Sequence, residues 1–247
     1  MYQKSAGFDY TSYSGYLEDW FDGTGLDYVY VDLYTGHAMG DNTNRYTTTY
    51  EEVYSDSLGV MSGDVKFYQV ITAHTQSKNK TGKLTEADLY MSMLYAAAHN
   101  VAGYSWFCYF PINDGDTEGS MVGFDGNGYG NGIGNGAEMV DGKGKSYYNA
   151  AATAGYQFEL IQGLLNGYSL DSRNYNDNTK LLTTTLIKSG ASDITIYVNA
   201  DTQSVSANCS VAASGSVYYL VGYEVGYQVV QSGSITLAPG QALICVE

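Results

Sequence analysis

The hydrophobic period of this chain changes once, near Gly167. Before Gly167, segments rich in β-branched and aromatic residues alternate with segments of helical spacing, whereas after it apolar residues recur at every second position in short runs. Alternation of strand and helix requires crossover connections and a parallel sheet, and short runs between turn signals are typical of an antiparallel sandwich or small barrel. The sequence therefore predicts an α/β domain over residues 1–167 and an all-β domain over residues 168–247.

Three strand segments in the first half are each followed by a helix. The strands are predicted over 27–34, 66–72 and 101–110, and the helices over 13–22, 47–58, 85–100 and 146–165. In the second half, seven short alternating segments from Leu181 onward predict antiparallel strands. The chain thus contains three β/α units and then a run of β-strands.

Several segments carry a family resemblance. They are LDYVYVDLYTG at 26–36, TEADLYMSMLYAAAHNVAGYSWFCYF at 85–110, VDGKGKSYYNAAATAGYQFELIQGLLNG at 140–167 and SITLAPGQALICVE at 234–247. In this order they resemble the C-terminal half of (β/α)8-barrel glycoside hydrolases, of the β-galactosidase-like and related families, in which a β-sandwich with a final Pro-Gly hairpin follows the barrel. A whole TIM barrel takes about 250 residues. The resemblance therefore implies a partial TIM (β/α)8 barrel, its last three β/α units, followed by a C-terminal antiparallel β-sandwich.

The charge balance limits the partners of the chain. Lys and Arg total 11 against 26 Asp and Glu, a formal net charge of -15, so nucleic acid and anionic membrane surfaces would be repelled. The 26 Tyr residues fit two interpretations, ordinary β-sheet residues or rings that stack on sugars. The composition favours a carbohydrate partner and an extracellular or cell-surface location, and residues 1–10 show no signal peptide.

The candidate site residues follow from the barrel resemblance. Active sites of such barrels lie at the C-terminal ends of the strands, which selects Asp32, Tyr34, His74, Trp106 and Tyr109. Asp32 interrupts an apolar strand, so it is either a catalytic or sugar-binding carboxylate or an internal hydrogen-bond acceptor. His74 is a sugar ligand or a structural histidine, and Trp106 is the floor of a sugar subsite or a core residue. In the functional interpretation these side chains converge in one pocket.

One departure from the resemblance concerns catalysis. The strand KFYQVITAHT ends without the Glu that these families usually place there as nucleophile, and glycoside cleavage needs two carboxyls about 5–5.5 Å or about 6.5–9.5 Å apart. The expected function is therefore that of a fragment of a glycoside hydrolase acting on oligo- or polysaccharide. Alone, it is expected to be inactive and to self-associate through open sheet edges. The alternative is a non-catalytic carbohydrate-binding or cell-surface module.

A loop rich in Gly, Asp and Asn is predicted over 113–145. Asp125 and Asn127 alternate with Gly as in a Ca²⁺ loop, but Gly136 stands at the twelfth position, where such loops carry a bidentate Glu. Ca²⁺ at Asp125 and Asn127 is therefore the one metal hypothesis that the sequence offers, and no other cofactor is implied.

Overall fold

The computed structural model describes residues 13–33, 54, 66–72, 75–76, 86–107, 117–118, 147–201, 207–210, 217–222, 224–231 and 233–247. The helices are α1 (Tyr13–Thr24), α2 (Glu86–Ala98) and α3 (Tyr147–Leu164). Of the helix predicted over 47–58, only Tyr54 is described, and it is helical. Within these ranges, none of the helices is both long and apolar enough to cross a bilayer.

The strands fall into two groups. In the first half they are β1 (Tyr28–Leu33), β2 (Lys66–Thr72), β3 (Thr75–Gln76), β4 (Gly103–Phe107) and β5 (Thr117–Glu118). In the second half they are β6 (Ser169–Asn176), β7 (Leu181–Ile187), β8 (Ile194–Asn199), β9 (Ala207–Ser210), β10 (Val217–Val221), β11 (Tyr227–Val230), β12 (Ser234–Leu237) and β13 (Ala242–Val246).

The first half forms a parallel sheet in the order β1–β2–β4. Helix α2 connects β2 to β4, as expected when parallel neighbours need a crossover. The strands β3 and β5 pair antiparallel as a separate short ribbon. The prediction of three parallel strands is confirmed, as is the helix predicted between the second and third of them. The predicted bounds of β2 agree with the structure.

Helix α2 is buried along its whole length. It packs against β2 of the parallel sheet, against β8 of the second half and alongside α3. Its sequence, EADLYMSMLYAAA, is apolar on nearly every side, which is typical of a core helix. The two acidic residues, Glu86 and Asp88, lie in the first turn, where the helix dipole favours negative charge. The helix layer therefore lies between two sheets.

The second half forms a six-stranded antiparallel sheet in the order β11–β10–β13–β8–β7–β6. Buried and partly buried residues alternate along β7, so that one face joins the helix layer. Leu182 and Ile196 of that face belong to the same buried cluster as Leu94 of α2. On the opposite face Leu237, from the β9–β12 ribbon, packs with Leu243 of the sheet. A parallel and an antiparallel sheet in one chain confirm the mixed α/β class.

Strand β6 is not predicted by the sequence. Its residues, SLDSRNYN, are polar and mostly exposed because β6 is an edge strand, with β7 as its single neighbour among the described strands. The prediction that the antiparallel part begins at Leu181 is therefore wrong, since it begins at Ser169. Gly167 precedes this start with a φ of 77°, a conformation that glycine adopts readily at the end of a helix.

A Pro-Gly turn connects the last two strands, as the resemblance implies. The N–H of Gln241 donates to the carbonyl of Ala238 at 3.0 Å, and Gly240 has a φ of 71°, which is the pattern of a type II turn. This turn lies against the first turn of α2, because a Cβ on Gly240 would come within 2.5 Å of the carbonyl oxygen of Ala87. The turn therefore fixes the antiparallel sheet against the helix layer.

A buried aromatic stack lies at the C-terminal end of α2. The ring of His99 stacks on Tyr54 at 4.0 Å and on Tyr95 at 5.1 Å between ring centroids. Its Nδ1–H donates to the carbonyl of Tyr95 at 2.8 Å. Burial lowers the pKa of His99 to about 3, the backbone acceptor opposes this shift, and the charge of Arg173 adds to it. His99 is therefore a neutral core residue at physiological pH.

Candidate functional site

One face of the parallel sheet is covered by helices, and the opposite face is exposed along β1 and mostly half-buried along β2 and β4. Val29 and Val31 of β1 are buried on the covered side, and the alternate residues point the other way. The register joins these outward residues across the sheet, since Tyr30 of β1 lies opposite Tyr68 of β2. The outer face carries Tyr28, Tyr30, Asp32, Lys66, Tyr68, Val70 and Ser105.

Three tyrosine rings form an aromatic platform on this outer face. Tyr30 and Tyr68 stack with ring centroids 4.8 Å apart and planes at 19°. Tyr28 meets both rings edge-on, at 6.1 Å and 6.5 Å. A Cβ on Gly103 would lie 2.8 Å from the ring of Tyr68. The absence of a side chain at Gly103 therefore gives this ring the space to lie over β4. Tyr30 is 53% exposed, and its ring is therefore available for contact with a ligand.

A cleft of about 380 Å³ lies between helix α1 and the edge of β1. Tyr16 and Trp20 contribute from the helix, with ring centroids 6.3 Å apart, and residues 28–32 contribute from the strand. Trp20 is 38% exposed, although helical spacing alone assigns it to the apolar stripe of α1. Asp32 supplies the one carboxylate among the described residues that line this cleft. The cleft therefore offers flat aromatic rings beside one strong hydrogen-bond acceptor.

The structure does not bring Trp106 to this site. Trp106 pairs with Ile71, which is fully buried on the helix side of the sheet. Asp32 pairs with Val70, whose side chain lies on the outer face. Trp106 packs against Tyr104 at 5.6 Å and belongs to the margin of the core. The expected convergence of Asp32 and Trp106 in one pocket is therefore wrong, because the register places them on opposite faces of the sheet.

Asp32 also differs from its expected environment. It is exposed rather than buried within the strand, so its carboxylate keeps access to water and to a ligand. The other candidates, Tyr34, His74 and Tyr109, lie outside the described residues, as do Asp125 and Asn127 of the Ca²⁺ hypothesis. Among the described residues no group of three or more His, Cys, Asp and Glu side chains is arranged to hold a metal ion.

The tyrosine platform is the feature that strand-end reasoning misses. The sequence signal for this platform is YVYVD at 28–32, where Tyr and Asp alternate with Val. A period of two with valine on one side and aromatic residues on the other indicates a strand with one buried and one ligand-accessible face. The outer face, with its rings and single described carboxylate, can bind a polar ligand with flat apolar surfaces.

Comparison with known proteins shows that the chain shares its fold with part of a solved structure. No protein-family model and no curated protein sequence matches the chain. Among solved structures, the chain is similar to Eubacterium rectale Amy13B, with 12% identity and a TM-score of 0.55, over 97% of this chain and 52% of that one. It therefore spans about half the length of Amy13B. At this identity the likeness concerns the fold alone.

Two further structures overlap more loosely. The glycoside hydrolase family 30 subfamily 8 xylanase Xyn30A from Clostridium acetobutylicum has 8% identity and a TM-score of 0.39, over 95% of this chain and 70% of that one. A family 39 glycoside hydrolase from Bacteroides cellulosilyticus WH2 has 12% identity and a TM-score of 0.40, over 80% of this chain and 37% of that one.

Proposed function

We propose that this chain is the C-terminal part of a glycoside hydrolase, consisting of the last three β/α units of a (β/α)8 barrel and a β-sandwich, and that it binds oligo- or polysaccharide. The observation that carries the proposal is the exposed tyrosine platform beside Asp32 on the sheet face away from the helices. Aromatic rings pack on the C–H faces of sugars, and a carboxylate accepts hydrogen bonds from their hydroxyl groups. The fold shared with half of Amy13B supports the same proposal.

In this proposal Asp32 is the catalytic or hydroxyl-binding carboxylate, and Tyr34, His74 and Tyr109 are further sugar contacts. Cleavage of a glycosidic bond needs a second carboxyl opposite the first. Among the described residues of β1, β2 and β4, Asp32 is the one carboxylate on the outer face. The chain by itself is therefore proposed to bind carbohydrate at the cell surface or outside the cell without cleaving it.

The first prediction tests the platform. Tyr30→Ala should weaken oligosaccharide binding by roughly 1–3 kcal/mol, on the scale known for stacking of bases on aromatic side chains, because it removes the ring that stacks on Tyr68. The measurement is calorimetric titration of the monomeric protein with maltoheptaose, xylohexaose and cellohexaose. Tyr156→Ala is the matched control, since Tyr156 lies on α3 and is 48% exposed. Equal affinities of the two variants, or no binding by the unaltered chain, would contradict the proposal.

A non-catalytic carbohydrate-binding module is the second candidate function. The single described carboxylate on the outer face favours it, because a binding platform needs no acid and nucleophile pair. Both candidates bind sugar, so binding does not separate them. Sequencing the gene upstream of Met1 does: five further β/α units support the hydrolase, and an unrelated upstream region supports the module.

The open edge of β1 is proposed to pair with a second copy of the chain. Among the described strands, β1 has a neighbour on one side only, and such edges expose unpaired backbone groups. An antiparallel pair centred on Tyr30 would place Tyr30 opposite Tyr30, Tyr28 opposite Asp32, and Val29 opposite Val31. This register is self-complementary, because each aspartate meets a phenol hydroxyl rather than another carboxylate.

The second prediction is that this pairing is promoted by salt. Each copy carries a net charge of -15, and screening this repulsion should raise the dimer fraction. Tyr30→Lys should reduce it, because two lysines would face each other across the pair. Sedimentation velocity at low and high salt measures the dimer fraction, with Tyr156→Lys as the control. A monomer under all conditions, or equal dimer fractions in both variants, would rule out pairing through β1.

A further inference from the structure

A second cleft, of about 200 Å³, lies at the turn between β10 and β11 of the antiparallel sheet. The described residues that line it are all different from those that line the cleft beside β1. Its polar lining includes Glu224, Gln228 and Gln241, and Tyr227 contributes an aromatic ring. None of its described lining residues is Lys or Arg. The cleft is smaller than the roughly 300–1,000 Å³ of sites for drug-sized ligands, so it suits one small ring.

The backbone of this cleft is held by the helix layer. Gln157 of α3 is fully buried, and its Nε2 donates to the carbonyl of Gly222 at 3.1 Å and also to the carbonyl of Glu224. Gly226, in the same turn, has a φ of 97°, which favours glycine. Because both carbonyls accept hydrogen bonds from a buried side chain, the backbone at Gly222 and Glu224 is held in place without a ligand.

Gln241 supplies a hydrogen-bond donor of fixed orientation. Its Oε1 accepts the N–H of Ala238 at 2.8 Å, which leaves its Nε2 as the end that the amide presents toward the cleft. A Cβ on Gly222 would lie 2.8 Å from Cγ and 3.0 Å from Nε2 of Gln241. The absence of a side chain at Gly222 therefore leaves space for the Gln241 side chain beside the cleft. The Nε2 group of Gln241 needs no rearrangement to bind an acceptor.

Tyr227 and Glu224 supply the remaining contacts. Tyr227 is 49% exposed, and its ring is braced edge-on by Tyr219 with centroids 4.5 Å apart. Glu224 is exposed at the rim. A fixed donor, a carboxylate acceptor and a braced ring around a small space match a ring-shaped ligand with hydroxyl groups. The carboxylate and the net charge of -15 disfavour anions.

We propose that this cleft binds one neutral sugar residue, stacked on Tyr227 and hydrogen-bonded by Gln241 and Glu224. The ligand class rests on the carbohydrate function proposed above, but the site is separate from the tyrosine platform of the parallel sheet. Two separate sites on one chain would hold a polysaccharide at two points, which raises the apparent affinity for polymers above that for short sugars.

The experiment is a nuclear magnetic resonance titration of the monomeric, ¹⁵N-labelled chain with maltose, cellobiose and xylobiose. Saturable shifts are expected for the backbone amides of Gly222 and Gly226 and for the side-chain amide of Gln241. Tyr227→Ala should weaken this binding about tenfold or more. Tyr30→Ala, on the tyrosine platform, and Tyr156→Ala, on α3, should leave the shifts at this cleft unchanged.

The outcomes separate the two proposals. Shifts confined to the tyrosine platform, and lost in Tyr30→Ala, would overturn the second cleft and leave the proposed function standing. Cleft shifts that weaken equally in Tyr227→Ala and Tyr156→Ala would also overturn it, since the ring of Tyr227 would then have no specific role. The absence of shifts with all three sugars at both places would overturn both proposals. Cleft shifts without platform shifts would support the second cleft and contradict the platform.

Discussion

Replacing Gly240 with alanine is expected to lower the free energy of unfolding by about 3 kcal/mol or more. Gly240 has a φ of 71°, and a Cβ there would lie 2.5 Å from the carbonyl oxygen of Ala87 and 3.2 Å from its carbonyl carbon. These are backbone atoms of the buried helix α2, so they cannot rotate away as a flexible side chain would. Relief requires the β12–β13 turn to move away from the helix layer. Urea unfolding followed by circular dichroism measures the loss.

Gly190→Ala is the matched control for this prediction. Gly190 has a similar φ of 76°, but a Cβ there meets no atom within 4 Å. The control therefore retains only the cost of a left-handed backbone in alanine, about 1–2 kcal/mol. The difference between the two variants isolates the contact with α2. Equal destabilisation would mean that the turn does not fix the sheet against the helix.

The elements that the sequence predicts well are those whose apolar pattern is complete. Strands β2 and β7 are predicted with their observed bounds, because KFYQVIT and LLTTTLI are rich in β-branched and aromatic residues. Helix α2 is predicted because its buried sides and its acidic first turn are both encoded locally. In contrast, β6 is an exposed edge strand whose one partner among the described strands is β7, and its polar sequence carries no apolar alternation to detect.

The candidate site was less predictable because it depends on register. The sequence shows that Ser105 and Trp106 point to opposite sides of β4, but it does not show which side the helices cover. That choice follows from the pairing of Trp106 with Ile71 and of Ser105 with Val70, which is a tertiary property. For β1 the information was present locally, since the valines mark the covered face and Tyr28, Tyr30 and Asp32 the other. Selecting candidate residues only at the C-terminal ends of strands misses this pattern of the two faces of β1.

The buried histidine of α2 makes the stability of the fold depend on pH. The pKa of His99 is about 3 in the folded chain, mainly because of burial, against about 6.5 in an unfolded chain. Between these values the unfolded state binds a proton that the folded state does not, so the stability present above about pH 6.5 is lost as the pH falls. Through His99 alone, the free energy of unfolding is expected to fall by about 1.4 kcal/mol between about pH 7.5 and about pH 5.5. It falls by about as much again for each further pH unit of acidification.

His99→Gln tests this assignment, because glutamine keeps an amide donor for the carbonyl of Tyr95 but does not titrate. The variant should be less stable at neutral pH, since it loses the aromatic stack with Tyr54, yet its stability should fall less steeply on acidification. The free energy of unfolding in urea, measured for both proteins between about pH 7.5 and about pH 5.5, gives the two slopes. The other two histidines, His37 and His74, are present in both proteins, so they contribute equally and the difference in slope reports His99. Parallel slopes would show that His99 takes up a proton in the folded chain and that the aromatic stack does not keep it neutral.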